Sequence, residues 1–333
     1  MPALKDVGNM ISRQVFGRPS LPEGDFAGKT IIITGANTGV GFEAAKYIAR
    51  LNVAHLILAC RNEDKGLKAV QTIQQEIQPA GKLEAWKVDL AHYSSVVAFG
   101  QRISTLPRLD GFIANAGVEV QDFQLCEGIE LQLCVNVVST LLTALAALPK
   151  LQATAREFKT QTNLTFQGSY YHIMAPDQEL DNIPKTTDIF EHLSQPGFDV
   201  FGRYSLSKMM LHQCAHELAD RVTDVVINIT HPGWAATELA RSKESISWGQ
   251  KAAFAMIGWS AEKGGINCVN AVAAGPENHG YFLSEGQIAP ESEFMCGSRN
   301  AAIQPRVWED LMARIGKVAP EIAAVVGAKS RQG

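Results

Sequence analysis

Residues 30–41, Thr-Ile-Ile-Ile-Thr-Gly-Ala-Asn-Thr-Gly-Val-Gly, constrain this chain more than any other stretch. A β-branched run of strand length breaks into three glycines and then into helix-forming sequence over 42–51. Strand, glycine turn and helix in that order set backbone N–H groups and the positive end of a helix against a phosphate. Gly35 permits the sharp exit from the strand, Gly39 the approach of a pyrophosphate to the backbone, and Gly41 close packing of helix on sheet. The spacing Thr-Gly-x-x-x-Gly-x-Gly is one residue wider than the G-x-G-x-x-G of many dinucleotide folds. A plain strand-to-helix turn would use the same residues, so the stretch takes its meaning from the rest of the chain.

The chain keeps the alternation that this unit begins. Strand-like runs at 30–34, 55–59, 83–88, 111–114, 162–168, 224–230 and 280–283 are separated by helix-length segments at 41–51, 63–77, 92–106, 127–151, 202–221 and 260–274. In the fourth of these helices Leu131, Val135, Val138, Leu142 and Leu145 recur at helical spacing. Helices between successive strands call for an α/β fold, a parallel sheet with helices on both faces. One domain over 24–333 fits, after an N-terminal arm, 1–23, closed by Pro19 and Pro22. Val7, Met10, Ile11, Val15 and Phe16 mark a short amphipathic helix in the arm. It carries little positive charge, which favours packing on the body over membrane contact. Long irregular connections at about 170–201 and 234–259 follow the fifth and sixth strands, on the side where such sheets bind ligands.

Composition narrows the classes of function. With 333 residues, 46% of them hydrophobic and 19% charged, the chain can bury a large core. A net charge of −4 without a Lys/Arg block disfavours nucleic acid as a partner. Cys60, Cys126, Cys134, Cys214, Cys268 and Cys296 show neither Cys-x-x-Cys pairs nor histidines at ligand spacing, so buried free thiols are expected rather than disulfides or a metal site. No apolar run approaches the roughly 20 residues of a membrane span. Residues 1–16 lack the apolar core of a signal peptide, and the cytoplasm is the expected location. Asn163-Leu164-Thr165 and Asn228-Ile229-Thr230 fit the glycosylation pattern but fall in strands expected to be buried.

Tyr204-Ser205-Leu206-Ser207-Lys208 puts a phenol and an ammonium four apart on a helix, on one side and a turn apart. The lysine charge is expected to favour the phenolate and lower the Tyr204 pKa towards neutrality. That suits a tyrosine to proton exchange with a substrate oxygen. The pair is common by chance; the order of its companions gives it weight. Thr34-Gly35-x-x-x-Gly39-x-Gly41, Asp89-Leu90, Asn115-Ala116-Gly117, Asn136, Ser169, Tyr204 with Lys208, and Pro232-Gly233 with Thr237 follow one another along residues 28–282. In these motifs and their order the chain resembles the short-chain dehydrogenase/reductase family. The long interval from Ser169 to Tyr204 resembles its longer forms, which include retinol dehydrogenases and many fungal biosynthetic reductases.

The resemblance implies a Rossmann-type, doubly wound parallel sheet of about seven strands. It implies a cofactor cradle formed by Gly35, Asn37, Thr38, Gly39, Val40 and Gly41, with Asp89 and Leu90 at the adenine. Asn115, Ala116 and Gly117 would flank the cofactor, Tyr204 and Lys208 would contact it, and Pro232, Gly233 and Thr237 would meet its nicotinamide end. Tyr204 would be the proton donor to a carbonyl, and Lys208 would lower its pKa and bind the ribose. Ser169 would hold the substrate oxygen, and Asn136 a water of the proton relay. Plainer roles stand beside these: a turn cap for Ser169, helix packing for Asn136, and the N-cap of the next helix for Asp89. Gly168 departs from the family, which usually shows a second serine there.

The second strand ends Leu58-Ala59-Cys60-Arg61-Asn62 with no carboxylate before Arg61, whose guanidinium suits a 2′-phosphate; NADP(H) is expected. Glu63 and Asp64 belong to the start of the next helix. Aromatics in the two long connections, Tyr170, Tyr171, Phe198, Phe201, Trp234, Trp248, Phe254 and Trp259, suggest a bulky apolar or aromatic substrate, although most would serve to pack the loops. Tyr171 and Trp234 are the candidate substrate contacts, and His172 a loop histidine that could also reach a substrate. The expected activity is NADPH-dependent reduction of a ketone or aldehyde, in specialised metabolism. The same fold could instead serve alkene reduction, epimerisation or dehydration, or a non-catalytic NADP-binding sensor or scaffold. The outer faces of helices 127–151 and 202–221 allow a homodimer.

Overall fold

The computed structural model describes residues 2–181, 183–197, 200–234 and 258–327. In chain order they form α1 (Leu4–Phe16), β1 (Thr30–Thr34), α2 (Gly39–Arg50), β2 (His55–Cys60), α3 (Glu63–Ile77), β3 (Lys82–Lys87), α4 (Tyr93–Ser104) and β4 (Gly111–Ala114). A hairpin of β5 (Leu125–Cys126) and β6 (Ile129–Glu130) leads into α5 (Leu131–Leu133), a π turn (Cys134–Ser139) and α6 (Thr140–Phe158). Then come β7 (Asn163–Gln167), α7 (Ile189–His192), α8 (Val200–Ala219), β8 (Val226–Thr230), α9 (Ala261–Ala273), β9 (Phe282–Ser284), β10 (Gln287–Ile288), α10 (Ser298–Val318) and α11 (Pro320–Ala323).

Eight strands form one sheet in the order β10-β9-β8-β7-β4-β1-β2-β3. Seven are parallel, as expected, and β10 pairs antiparallel to β9 at the edge. Alternation along β1 divides the core. Ile31 and Ile33 join Leu56, Leu58 and Ile113 in the cluster that also holds the inner faces of α2, α3 and α9. Ile32 joins Ile57, Phe112, Leu164 and Phe166 in the larger cluster shared with α4, α6, α8 and α10. Each buried isoleucine contributes about 2 kcal/mol. Strand order reverses between β1 and β4, so the crevice outside their C-terminal ends is the topological switch point where this architecture binds ligands.

Several expectations need correction. The segment 127–151 is not helical from its start: Glu127 (φ 51°) and Gly128 (φ 80°) both take left-handed backbones and make the tight turn of the β5–β6 hairpin. Glu130 then accepts the N–H groups of Gln132 and Leu133 and starts the helix, which ends at Phe158. The helix Leu131–Phe158 is long and apolar enough to cross a membrane, contrary to the reading of the sequence, but 89% of its apolar window is buried inside the fold. α1 docks on the body, yet through its polar side: Asp6 and Gln14 are buried, whereas Leu4 and Phe16 are 91% and 74% exposed.

α10 has no counterpart among the expected helices. Pro305 lies inside it and masks a pattern in which Val307, Trp308, Leu311 and Ile315 face inward. α10 packs on α8, one of the two helices whose outer faces allow a homodimer. Asn163 and Asn228 are buried and donate to the Ala274 and Ala271 carbonyls, as strand positions should.

Candidate active site

The β1–α2 turn is built around backbone that side chains would spoil. Gly35 (φ 67°) and Gly39 (φ 59°) are left-handed. A Cβ on Gly41 would stand 2.4 Å from Asn115 Nδ2 and 2.7 Å from the Gly35 carbonyl. Asn115 closes this corner by donating to the Thr34 carbonyl at 2.8 Å, while Thr34 Oγ1 accepts the N–H groups of Asn115 and Ala116. Thr38 occupies the N-cap of α2 without making a side-chain cap, which leaves the first N–H groups of the helix for an anion. A glycine cradle at an uncapped helix end fits the pyrophosphate of a dinucleotide.

The flanking residues divide. Arg61 is exposed just beyond β2, and Asn62 caps α3 by accepting the Lys65 N–H, with Glu63 and Asp64 in its first turn. Asp89 is not the N-cap of α4; His92 holds that position, and Asp89 accepts the Ala91 N–H in a local turn. Leu90 puts its side chain into the core.

Four side chains converge at the ends of β7 and α8. Ser169, just past the β7 exit, accepts the Tyr171 N–H at 3.1 Å, and its hydroxyl is near enough to the Tyr204 phenol to favour the phenolate. The turn-cap role and the one implied by resemblance are thus compatible. Lys208 Nζ stands 5.9 Å from the Tyr204 ring centre and donates to the Gln167 carbonyl at 2.8 Å. Asn136 sits in the π turn, a distortion common at functional sites. Its Oδ1 accepts the Val118 N–H, and its Nδ2 donates to the Val118 carbonyl and Ser207 Oγ. A Cβ on Gly117 would fall 3.0 Å from Asn136 Oδ1 and 3.6 Å from Lys208 Nζ, so Gly117 leaves those two groups facing one small space.

The electrostatics reverse one expectation. Burial raises the Tyr204 pKa, with the Glu119 carboxylate adding to the rise and the Ser169 hydrogen bond opposing it. Lys208 does not bring it towards neutrality: desolvation of the phenolate dominates, and Nζ is directed to Gln167. Burial likewise pushes Lys208 down to about 8, against the pull of Glu119. Tyr204 is therefore held as a neutral phenol, the form that donates a proton. Glu119 was missed in the sequence, where it reads as one loop acid after Asn115-Ala116-Gly117.

Behind Ser169 lies a layer of histidines. His172 is buried rather than open to a substrate: its Nδ1 donates to the Ser169 carbonyl at 2.7 Å, and Nε2 accepts the Ser292 N–H. Burial holds it neutral, with a pKa of about 3. His212, one helical turn past Lys208, pairs through Nδ1 with Glu291, which also binds His216. A Cβ on Gly168 would come within 2.2 Å of His212 Nε2. The glycine that departs from the family thus answers to this histidine. The donor atoms of His172, His212 and Glu291 lie within 4.8 Å of one another. Three of the four ring nitrogens are already engaged within the protein: His172 Nδ1 with the Ser169 carbonyl, His172 Nε2 with the Ser292 N–H, and His212 Nδ1 with Glu291.

The open side is walled by aromatics. Tyr171 packs edge-on to Tyr204 with centres 6.0 Å apart, and its hydroxyl accepts Trp234 Nε1–H at 2.7 Å. Both candidate substrate contacts therefore lie together beside Tyr204. Gln14 of α1 accepts the Trp234 N–H at 2.7 Å and donates to the Trp234 carbonyl, and its own carbonyl accepts Trp259 Nε1–H. Gln14 left no signal in the sequence, because the apolar stripe of α1 drew attention to its opposite side. Pro232 and Gly233 (φ 68°) precede Trp234, with His231 Nδ1 accepting the Gly233 N–H. Tyr170 and Trp259 are packing residues against His231. Thr237, Phe198, Trp248 and Phe254 lie outside the described residues, as does the side chain of Phe201.

Known proteins resemble the chain in sequence and in fold. A family profile described as short chain dehydrogenase matches residues 29–157. The chain is 33% identical over 324 residues to the short chain dehydrogenase/reductase dmxR8 of Cryptosporiopsis sp., covering 93% of this chain and 98% of that one. A structure of an uncharacterised protein from Mycobacterium paratuberculosis superposes with a TM-score of 0.63 at 22% identity, over 90% of this chain and 95% of the other. A short chain dehydrogenase from Shigella flexneri complexed with NADP gives 0.52 at 24% identity, over 72% and 89%.

Proposed function

The chain belongs to the short-chain dehydrogenase/reductase family, and on that premise we propose that it is an NADPH-dependent reductase of a ketone or aldehyde carried by a bulky apolar or aromatic substrate. The observation that carries this reading is the meeting of a neutral Tyr204, the Ser169 hydroxyl and a buried Lys208 at the switch-point end of the sheet. A nicotinamide cofactor held in the glycine cradle would supply the hydride. Ser169 holds the carbonyl oxygen by its hydroxyl, and Tyr204 donates its proton to that oxygen. Lys208 stands behind the phenol as a second proton source, and Asn136 holds the Val118 backbone beside it. Asn115, Ala116, Gly117, Pro232 and Gly233 are assigned to the cofactor side of the crevice, and Tyr171 with Trp234 to the substrate side.

Arg61 supports NADP(H) over NAD(H), because its exposed guanidinium is free to form a fork on a 2′-phosphate and no carboxylate precedes it on β2. The NADP complex of the Shigella flexneri dehydrogenase is consistent with this. The aromatic wall of Tyr171 and Trp234 beside Tyr204 supports a bulky substrate of the kind met in specialised metabolism. The expected outcome of Arg61→Asp is a fall of roughly tenfold or more in the NADPH/NADH affinity ratio. An unchanged ratio, measured by cofactor titration, would mean that the preference is set elsewhere.

A further inference from the structure

Cys126 and Cys134, eight apart in sequence, bring their sulfurs to 3.0 Å, with the Cys134 thiol donating to Cys126 Sγ. Cys126 ends β5, is partly exposed, and gives its own proton to the Ala91 carbonyl at 2.8 Å. Cys134 is buried and opens the π turn that carries Asn136. A disulfide needs about 2.05 Å between sulfurs, so closure asks for about 1 Å of combined travel between a hairpin and a helix start. Their chemistry is already split. The hydrogen bond from Cys134 holds the Cys126 thiol below its usual range, while the same bond and burial push Cys134 up. The accessible thiol is therefore the better nucleophile and the enclosed one stands ready to resolve it.

We propose that Cys126 and Cys134 form a modification site, closing to a reversible intramolecular disulfide by exchange with a small-molecule disulfide of the oxidised-glutathione class. The Cys126 thiolate attacks one sulfur of the small disulfide, breaks its S–S bond and releases one thiol. Cys134 then attacks Cys126 Sγ, forming the internal bond and releasing the second thiol, which takes the Cys134 proton. The protein pair loses two electrons and two protons, and the small disulfide is reduced to two thiols. Closure removes the proton that Cys126 gives to Ala91, next to the Asp89-Leu90 corner, and ties the hairpin to the turn holding Asn136. Redox state is thereby read at both ends of the crevice.

Full-length protein incubated with oxidised glutathione and then mapped by peptide mass tests this directly. The expected result is a Cys126–Cys134 bond reversed by dithiothreitol, with exposed Cys296 giving only a mixed disulfide. The buried Cys60, Cys214 and Cys268 stay unmodified. Cys134→Ser traps glutathione on Cys126, and amide hydrogen exchange over 131–139 differs between the oxidised and reduced wild type. The proposal is overturned if Cys296 reacts while Cys126 and Cys134 remain thiols, if wild-type Cys126 stops at the mixed disulfide, or if exchange over 131–139 is the same in both forms. No arm of the test uses turnover, so its failure is distinct from failure of the reductase reading.

Discussion

At Lys208 two demands oppose each other. The side chain is buried with one hydrogen bond, and its pKa falls to about 8. A folded-state value below that of the unfolded chain means that charged Lys208 costs stability at neutral pH, a cost relieved as pH rises from about 8 towards 10.4. The ceiling on that cost is about 3 kcal/mol. Lys208→Met is therefore expected to abolish turnover while leaving the melting temperature unchanged or higher. Carbonyl reduction by the wild type should fall as pH rises through about 8, where Lys208 loses its proton. A flat profile through that region would contradict the role given to Lys208. The Tyr-x-x-x-Lys spacing was legible in the sequence, but its pKa consequence was not. Sequence shows that two groups are neighbours and not how much water each has lost. Gly168 was legible only as a departure from a pattern. Its cause, His212, lies on another element and emerges only when α8 is packed on β7.

At the scale of elements, the alternation of strands and helices was readable because β-branched runs and helical spacing are local properties. The β5–β6 hairpin was not, because its strands are two residues each and Glu127-Gly128 sits among residues that also suit a helix. α1 shows a different limit. An apolar stripe normally marks the buried face, yet here the buried contacts are made by Asp6, which accepts the Glu293 N–H, and by Gln14. Gln14 braces Trp234, which braces Tyr171, which packs on Tyr204. Among the described residues, Gln14→Ala removes the two side-chain hydrogen bonds to the Trp234 backbone, of about 1 kcal/mol each. It is expected to raise KM for a bulky ketone by up to roughly tenfold with little change in NADPH affinity. Equal losses for small and bulky substrates would show that α1 serves stability alone.

For the whole molecule, α10 matters most among the elements that the sequence concealed. Arg306 donates to the carbonyls of Ile183, Pro184 and Thr187, Arg299 pairs with Asp177 and Asp181, and Arg314 with Asp188. One helix thus staples the long connection beyond β7 and covers α8 at the same time. With that face of α8 covered, a dimer would have to use the helix 127–151 or another surface, and sedimentation at micromolar concentration decides between monomer and dimer. The central claim, that Tyr204 gives its proton to a substrate carbonyl as hydride arrives, is tested most directly by NADPH consumption against a panel of bulky ketones, aldehydes and enones, with wild type and Tyr204→Phe side by side. The account predicts turnover of at least one carbonyl compound by the wild type, lost by roughly a hundredfold or more in the variant, with NADPH affinity retained. A variant that reduces the same compound at the wild-type rate would contradict it.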